Sequence, residues 1–152
     1  LSLRALHDAV PGADPADWTV RATALEREGL IAAETLRSIR RRHLFGRLIG
    51  NSDMHFGNLA FWSDDTLPFR LAPAYDVLPM LWAPVPGQAT PLPDFSPVLP
   101  LPAERGLWGE TAAWAAEFWQ RVSGDARISP EFADVARASG AIIARQREHF
   151  GA

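Results

Sequence analysis

At 152 residues, with 47% hydrophobic and 22% charged positions, the chain suits one compact domain spanning 1–152 and leaves no room for a second large one. A formal net charge of -3 gives no global basic field for nonspecific nucleic-acid binding, and the lack of Cys excludes disulfides, thiolate metal sites and a Cys nucleophile. No apolar run approaches the ~20 residues of a membrane span, so a soluble, cytoplasmic protein without a membrane partner is expected. The start at Leu1 rather than Met reads as a cut from a longer polypeptide.

In chain order, Asp14 as N-cap, Pro15 in the first turn and Gly29 as a stop predict a helix from about Pro15 to Glu28. A second helix is expected over Leu30–Leu48, where Ile31, Leu36, Ile39, Leu44, Phe45 and Leu48 spread from one face to nearly all round, so that the helix enters the core as it ends. GNSDMHFGN, Gly50 to Asn58, is too rich in turn formers to continue it and reads as an ordered loop. LAFW, SDDT and PFRLA then read as strand, hairpin turn and strand, a small β-ribbon with Asp64 and Asp65 at a solvated tip.

From Pro79 to Pro102 the chain places eight of its thirteen prolines, which forbids helix and interior strand and predicts a long irregular excursion. Helical patterning resumes over Leu107–Val122 and Pro130–Phe150. Trp108, Trp114 and Trp119 are expected in the core. Trp82, just inside the irregular stretch, either contacts a substrate or pins the loop.

The chemistry-bearing residues fall in two segments. Asp53 and Asn58 form D-x-x-x-x-N on the loop, and Asp76 follows the ribbon. Phosphoryl transfer needs a carboxylate that orients the attacking hydroxyl and oxygen ligands that hold Mg²⁺ against the phosphates. These three residues supply that set, and protein kinases use the same order of catalytic loop, ribbon and metal-binding Asp.

LIGNSDMHFGN followed by RLAPAYDVLPM resembles the paired signature of HipA-type serine/threonine kinases, the toxin components of bacterial toxin–antitoxin pairs. The resemblance implies a mostly α (α+β) fold, a protein-kinase-like C-terminal lobe whose small β-ribbon carries the catalytic and metal-binding loops. It implies Asp53 as the catalytic base, Asn58 and Asp76 as Mg²⁺ ligands, and Asn51 and His55 as supports of the loop. ATP is implied as phosphoryl donor, a protein Ser or Thr as acceptor, a translation-related target, and a DNA-binding antitoxin as partner. No direct nucleic-acid binding is expected of this chain.

One departure bears on activity. All fifteen basic residues are Arg, and neither a Lys nor a Gly-rich loop precedes the helices, so the phosphate-gripping half of a kinase is missing. The isolated chain is therefore expected to bind ATP poorly and not to turn over.

Blander readings compete with each assignment. Asp53 in a Gly-Asn-Ser context commonly caps its own turn, and Asn58 commonly enters a strand; the pairing with Asp76 favours chemistry. His55 without neighbouring His or Cys gives no zinc signal. Arg40, Arg41 and Arg42, with Arg37 and Arg47, read as a solvated face or as internal ion pairs. The alternative function is a noncatalytic kinase-like scaffold that binds a partner in a toxin–antitoxin or repression complex.

Overall fold

A computed structural model of the chain describes residues 1–9, 17–63, 66–84, 87, 92–97 and 99–150. Among the described residues five helices carry the fold: α1 Leu3–Ala9, α2 Trp18–Arg27, α3 Ala33–Leu48, α4 Arg105–Gly124 and α5 Pro130–Phe150. Single 3₁₀ turns lie at Phe56–Asn58, Met80–Trp82 and Pro102–Glu104. The chain divides into two compact units, one of Leu1–His43 with Asp53–Val77, the other of Leu44–Ser52 with Leu78–Ala152. No helix among the described residues is long and apolar enough to cross a membrane.

In the first unit, α2 begins at Trp18 rather than near Pro15. Asp17 is its N-cap, accepting from the Thr19 N–H at 2.6 Å and the Thr19 hydroxyl at 2.8 Å. A capping carboxylate satisfies N–H groups that have no partner within the helix, so the residue that makes this bond sets the boundary. The expected cap at Asp14 lies outside the described residues. Burial would raise the Asp17 carboxyl, but the Thr19 hydrogen bonds and nearby His43 outweigh it and hold the group below its ordinary range.

The other end of α2 follows the sequence. Gly29 adopts φ +71°, its N–H donates to the Glu26 carbonyl at 3.0 Å, and the Leu30 N–H reaches back to the Leu25 carbonyl at 2.9 Å. This is a Schellman ending, which needs a residue that tolerates the left-handed region. Leu30 and Ile31, expected inside the next helix, are extended instead. The Leu30 carbonyl accepts from the Phe69 N–H at 2.8 Å and Ile31 bridges Phe69 in parallel, which delays α3 to Ala33.

The expected β-ribbon is reduced to a single rung. Phe61 and Leu71 form an isolated antiparallel bridge, flanked by Trp62 N–H to Arg70 carbonyl and Ala72 N–H to Ala60 carbonyl, both 2.9 Å. Pro68 and Pro73 bracket the second segment, so only Phe69 to Ala72 carry N–H groups able to pair. The hairpin tip, Asp64 and Asp65, lies outside the described residues. On the other side of Ala60 the chain's first residues pair in its place: Leu3 N–H donates to Leu59 carbonyl at 2.8 Å and Phe61 N–H to Leu1 carbonyl at 2.7 Å. Beneath these segments Leu3, Leu6, Trp18, Ala22, Leu25, Ile31, Leu36, Ile39, Phe56, Leu59 and Phe61 form one apolar core.

In the second unit, the last turns of α3 bury Leu44, Leu48 and Ile49 completely. They too end in a Schellman motif, with Gly50 at φ +70° and the Asn51 N–H donating to the Gly46 carbonyl at 2.8 Å. A Cβ on Gly50 would lie 2.7 Å from the Trp82 ring, so this glycine answers both to backbone conformation and to packing. Trp82 is buried, its indole N–H donates to the Pro93 carbonyl at 3.0 Å, and its ring meets Phe95, Trp119 and Phe132. It pins the proline-rich segment. Its described residues are irregular between 3₁₀ turns at Met80–Trp82 and Pro102–Glu104, the second begun by Pro102, whose missing N–H costs nothing at a first helical position.

α4 packs on α5. Trp108 and Trp119 are fully buried on α4, whereas Trp114 is 43% exposed, contrary to the core position expected of it. Helical geometry explains the split: eleven residues bring 119 to within about 20° of 108, whereas six residues place 114 about 120° away. Arg47 donates to Glu104 at 2.6 Å in a mostly buried pair, and the other Glu104 oxygen accepts the Leu101 N–H at 2.9 Å.

Gly50→Ala is expected to cost about 2 kcal/mol or more, from the left-handed backbone and the Trp82 collision together, whereas Gly29→Ala, with open space around it, should cost about 1 kcal/mol. Urea unfolding of both variants decides this, and equal losses would contradict it. Asp17→Ala should cost about 1 kcal/mol at neutral pH. Because the folded carboxyl titrates below the unfolded one, its contribution is full above the unfolded value of about 4 and is lost as pH falls through the lowered folded value. The variant and the parent should therefore converge in strong acid.

Candidate functional site

The loop that follows α3 is held by apolar anchors on either side of its polar residues. Phe56 is 5% and Leu59 1% exposed in the core of the first unit, and the Phe56 ring meets His7 edge-on with centroids 5.2 Å apart. Gly57 and Asn58 lie between these anchors on a 3₁₀ turn. Their placement is therefore a consequence of burial.

His55 is the N-cap of that turn, and its Nδ1 accepts the Gly57 N–H at 3.0 Å. A Cβ on Gly57 would come within 2.7 Å of the imidazole, so Gly57 keeps the cap seated. The His55 carbonyl accepts twice, from the Asn58 N–H at 3.1 Å and from the indole N–H of Trp18 at 3.0 Å. Trp18 thereby ties the first residue of α2 to the loop.

Asn58 is buried, and its side-chain Nδ2 donates to the backbone carbonyl of Asp53 at 2.9 Å. Spending the donor end of the amide in this way closes the five-residue loop and leaves the amide oxygen as the end able to meet a cation. Asp53 itself is exposed. Asn51 is 5% exposed, and its N–H completes the ending of α3 by donating to the Gly46 carbonyl at 2.8 Å.

Asp76 is brought to the same unit by the segment that pairs with Ala60. The Ala72 carbonyl accepts from Arg42 Nη1 at 2.7 Å, and burial lowers the Arg42 pKa from its ordinary value. Tyr75 donates its hydroxyl to the Gly57 carbonyl. The next residue, Asp76, has φ +52°, a left-handed conformation that Asp tolerates better than most residues and that is uncommon enough to mark special sites. Its carboxylate is exposed and has no hydrogen-bond or ion-pair partner among the described residues.

The two residues expected to meet a cation, Asn58 and Asp76, offer oxygen donors, which suit a hard ion such as Mg²⁺. Among the described residues no three His, Cys, Asp or Glu side chains gather into a metal cluster. The Arg run near α3's end is committed elsewhere: Arg42 to Ala72, Arg40 to the Thr23 hydroxyl at 3.3 Å, Arg37 and Arg41 to Glu34, and Arg47 to Glu104.

Sequence reasoning missed Trp18, Arg42 and Tyr75. Tyr75 was the most accessible, since it is the only Tyr in the chain and stands next to Asp76. Trp18 and Arg42 act through backbone carbonyls, which no side-chain motif records.

Residues 17–141 match the family model of the HipA-like C-terminal domain. Over 125 residues, 81% of the chain, the sequence is 36% identical to Toxin YjjJ of Escherichia coli (strain K12), and it spans 28% of that relative's length. No solved structure matches. Both chemistry-bearing segments fall within the region matched by the family model.

Trp18→Phe removes the indole donor and leaves a smaller ring at a buried position, so it should cost about 1 kcal/mol or more and speed amide exchange at Gly57 and Asn58 selectively. Unchanged exchange at those two amides, read by NMR, would show that Trp18 does not hold the loop.

Proposed function

Because this chain belongs to the family of HipA-like C-terminal domains, we propose that it is the C-terminal part of a toxin that transfers the γ-phosphoryl group of ATP to a Ser or Thr hydroxyl of a protein. The observation that carries this reading is the Asn58 amide. Its nitrogen is spent on the Asp53 carbonyl while its oxygen remains for a cation, on a loop to which Tyr75 ties the Asp76 segment.

In this reading Asp53 faces the acceptor hydroxyl, orients it and takes its proton as the new O–P bond forms. The bond from the γ-phosphorus to the oxygen bridging the β-phosphate breaks, and ADP leaves with that oxygen. Asn58 and Asp76 would hold Mg²⁺, which would supply positive charge against the phosphoryl oxygens. His55 and Asn51 act on either side of the loop as its supports, His55 through the Gly57 N–H and Asn51 at the ending of α3. The rest of the longer polypeptide supplies the Gly-rich cover and the Lys that this sequence lacks. An antitoxin that binds DNA is the partner proposed for this chain, a reading supported by its similarity to a toxin.

In the full-length protein, Asp53→Ala and Asp76→Ala should each lower ATP-dependent protein phosphorylation about 10²-fold or more, with secondary structure retained. Phosphate transfer that survives both substitutions, measured with radiolabelled ATP, would contradict the proposal. The isolated 152-residue chain should show no turnover under the same conditions.

A further inference from the structure

Asp76 depends on its neighbours for position. Its carboxylate has no partner among the described residues, and its backbone sits at φ +52°, so neither its side chain nor an ordinary backbone well fixes where the acid lies. Three contacts on the preceding residues do so. Ala72 N–H donates to Ala60 carbonyl at 2.9 Å, Arg42 Nη1 donates to Ala72 carbonyl at 2.7 Å, and the Tyr75 hydroxyl donates to Gly57 carbonyl.

The first two contacts act four residues before Asp76, and the third acts on the adjacent residue. The acceptor of the third is also telling, because Gly57 directly precedes Asn58. We propose that Tyr75 is a positioning residue that clasps the Asp76 turn to the Asn58 loop and so presets the spacing of the two cation ligands. This deepens the phosphotransfer reading and rests on it.

The exposure of Tyr75 fits such a role better than a packing one. The residue is 43% exposed, so little of its ring is spent on the core, while its one polar atom is committed to the loop. Without the clasp, the turn must be ordered when the cation binds, and that ordering is subtracted from affinity. Arg42 contributes at the far end of the same segment, where its guanidinium fixes Ala72.

The test uses Mn²⁺ alone as the probe, added to the ¹⁵N-labelled 152-residue chain while paramagnetic broadening of the Gly57, Asn58 and Asp76 amides is followed. Three proteins are compared: wild type, Tyr75→Phe, which deletes only the hydroxyl, and Asp76→Ala. The expected result is selective broadening in wild type, its loss in Asp76→Ala, and a requirement for roughly five-fold more Mn²⁺ in Tyr75→Phe at an unchanged thermal midpoint. A Tyr75→Phe protein that broadens at wild-type Mn²⁺ while Asp76→Ala does not broaden would overturn the positioning role and leave the cation site standing. Absence of selective broadening in wild type would overturn both the site and the clasp.

Discussion

The hydrogen bond from the Asn58 side chain to the Asp53 carbonyl is the constraint on which the rest of the site depends. A six-residue stretch with a Gly and a His has many conformations available to it, and this one bond closes it into a loop of fixed span. It also orients the amide, since a nitrogen engaged with a carbonyl leaves the oxygen to face the other way. The bond is made inside a frame that does not rely on it. Phe56 and Leu59 are anchored by burial, and the His55 carbonyl is held by both an indole and a backbone donor.

This frame shows why such a loop can be polar and exposed yet ordered. The free energy comes from the apolar anchors, which exclude water from the side on which the backbone is bound, while the carboxylates stay in water where their charge costs little. Asp53 and Asp76 are both exposed, and neither is a buried charge in need of a counterion. The chain's Arg residues are used in a complementary way. Arg42 and Arg47 reach partly buried acceptors through their long stems, one a backbone carbonyl and one the Glu104 carboxylate, and so join distant stretches of sequence inside each unit.

What could be read from the sequence was local chemistry. Gly29 and Gly50 announced helix endings because only glycine adopts the left-handed position cheaply, and the proline run announced an irregular segment because proline lacks a donor. The existence and order of α2 to α5 followed from apolar spacing. What escaped was non-local. The pairing of Leu1 to Leu3 with Leu59 to Phe61 gives no sign in either segment alone. Trp114 escaped because residue type was weighed over helical angle, and the α2 boundary because two Asp residues, 14 and 17, each suited an N-cap. The candidate site rests on residue types, Asp53, Asn58 and Asp76, whereas the groups that hold its segments, Trp18, Arg42 and Tyr75, act on main-chain oxygens that leave no pattern.

The central claim is that Asn58 and Asp76 share one cation. An anomalous-difference map from a crystal grown with Mn²⁺ and ATP tests it most directly. The account requires a single peak about 2.2 Å from both the Asn58 amide oxygen and an Asp76 carboxylate oxygen. A peak bound by other residues, or one that touches only one of the two, would contradict it.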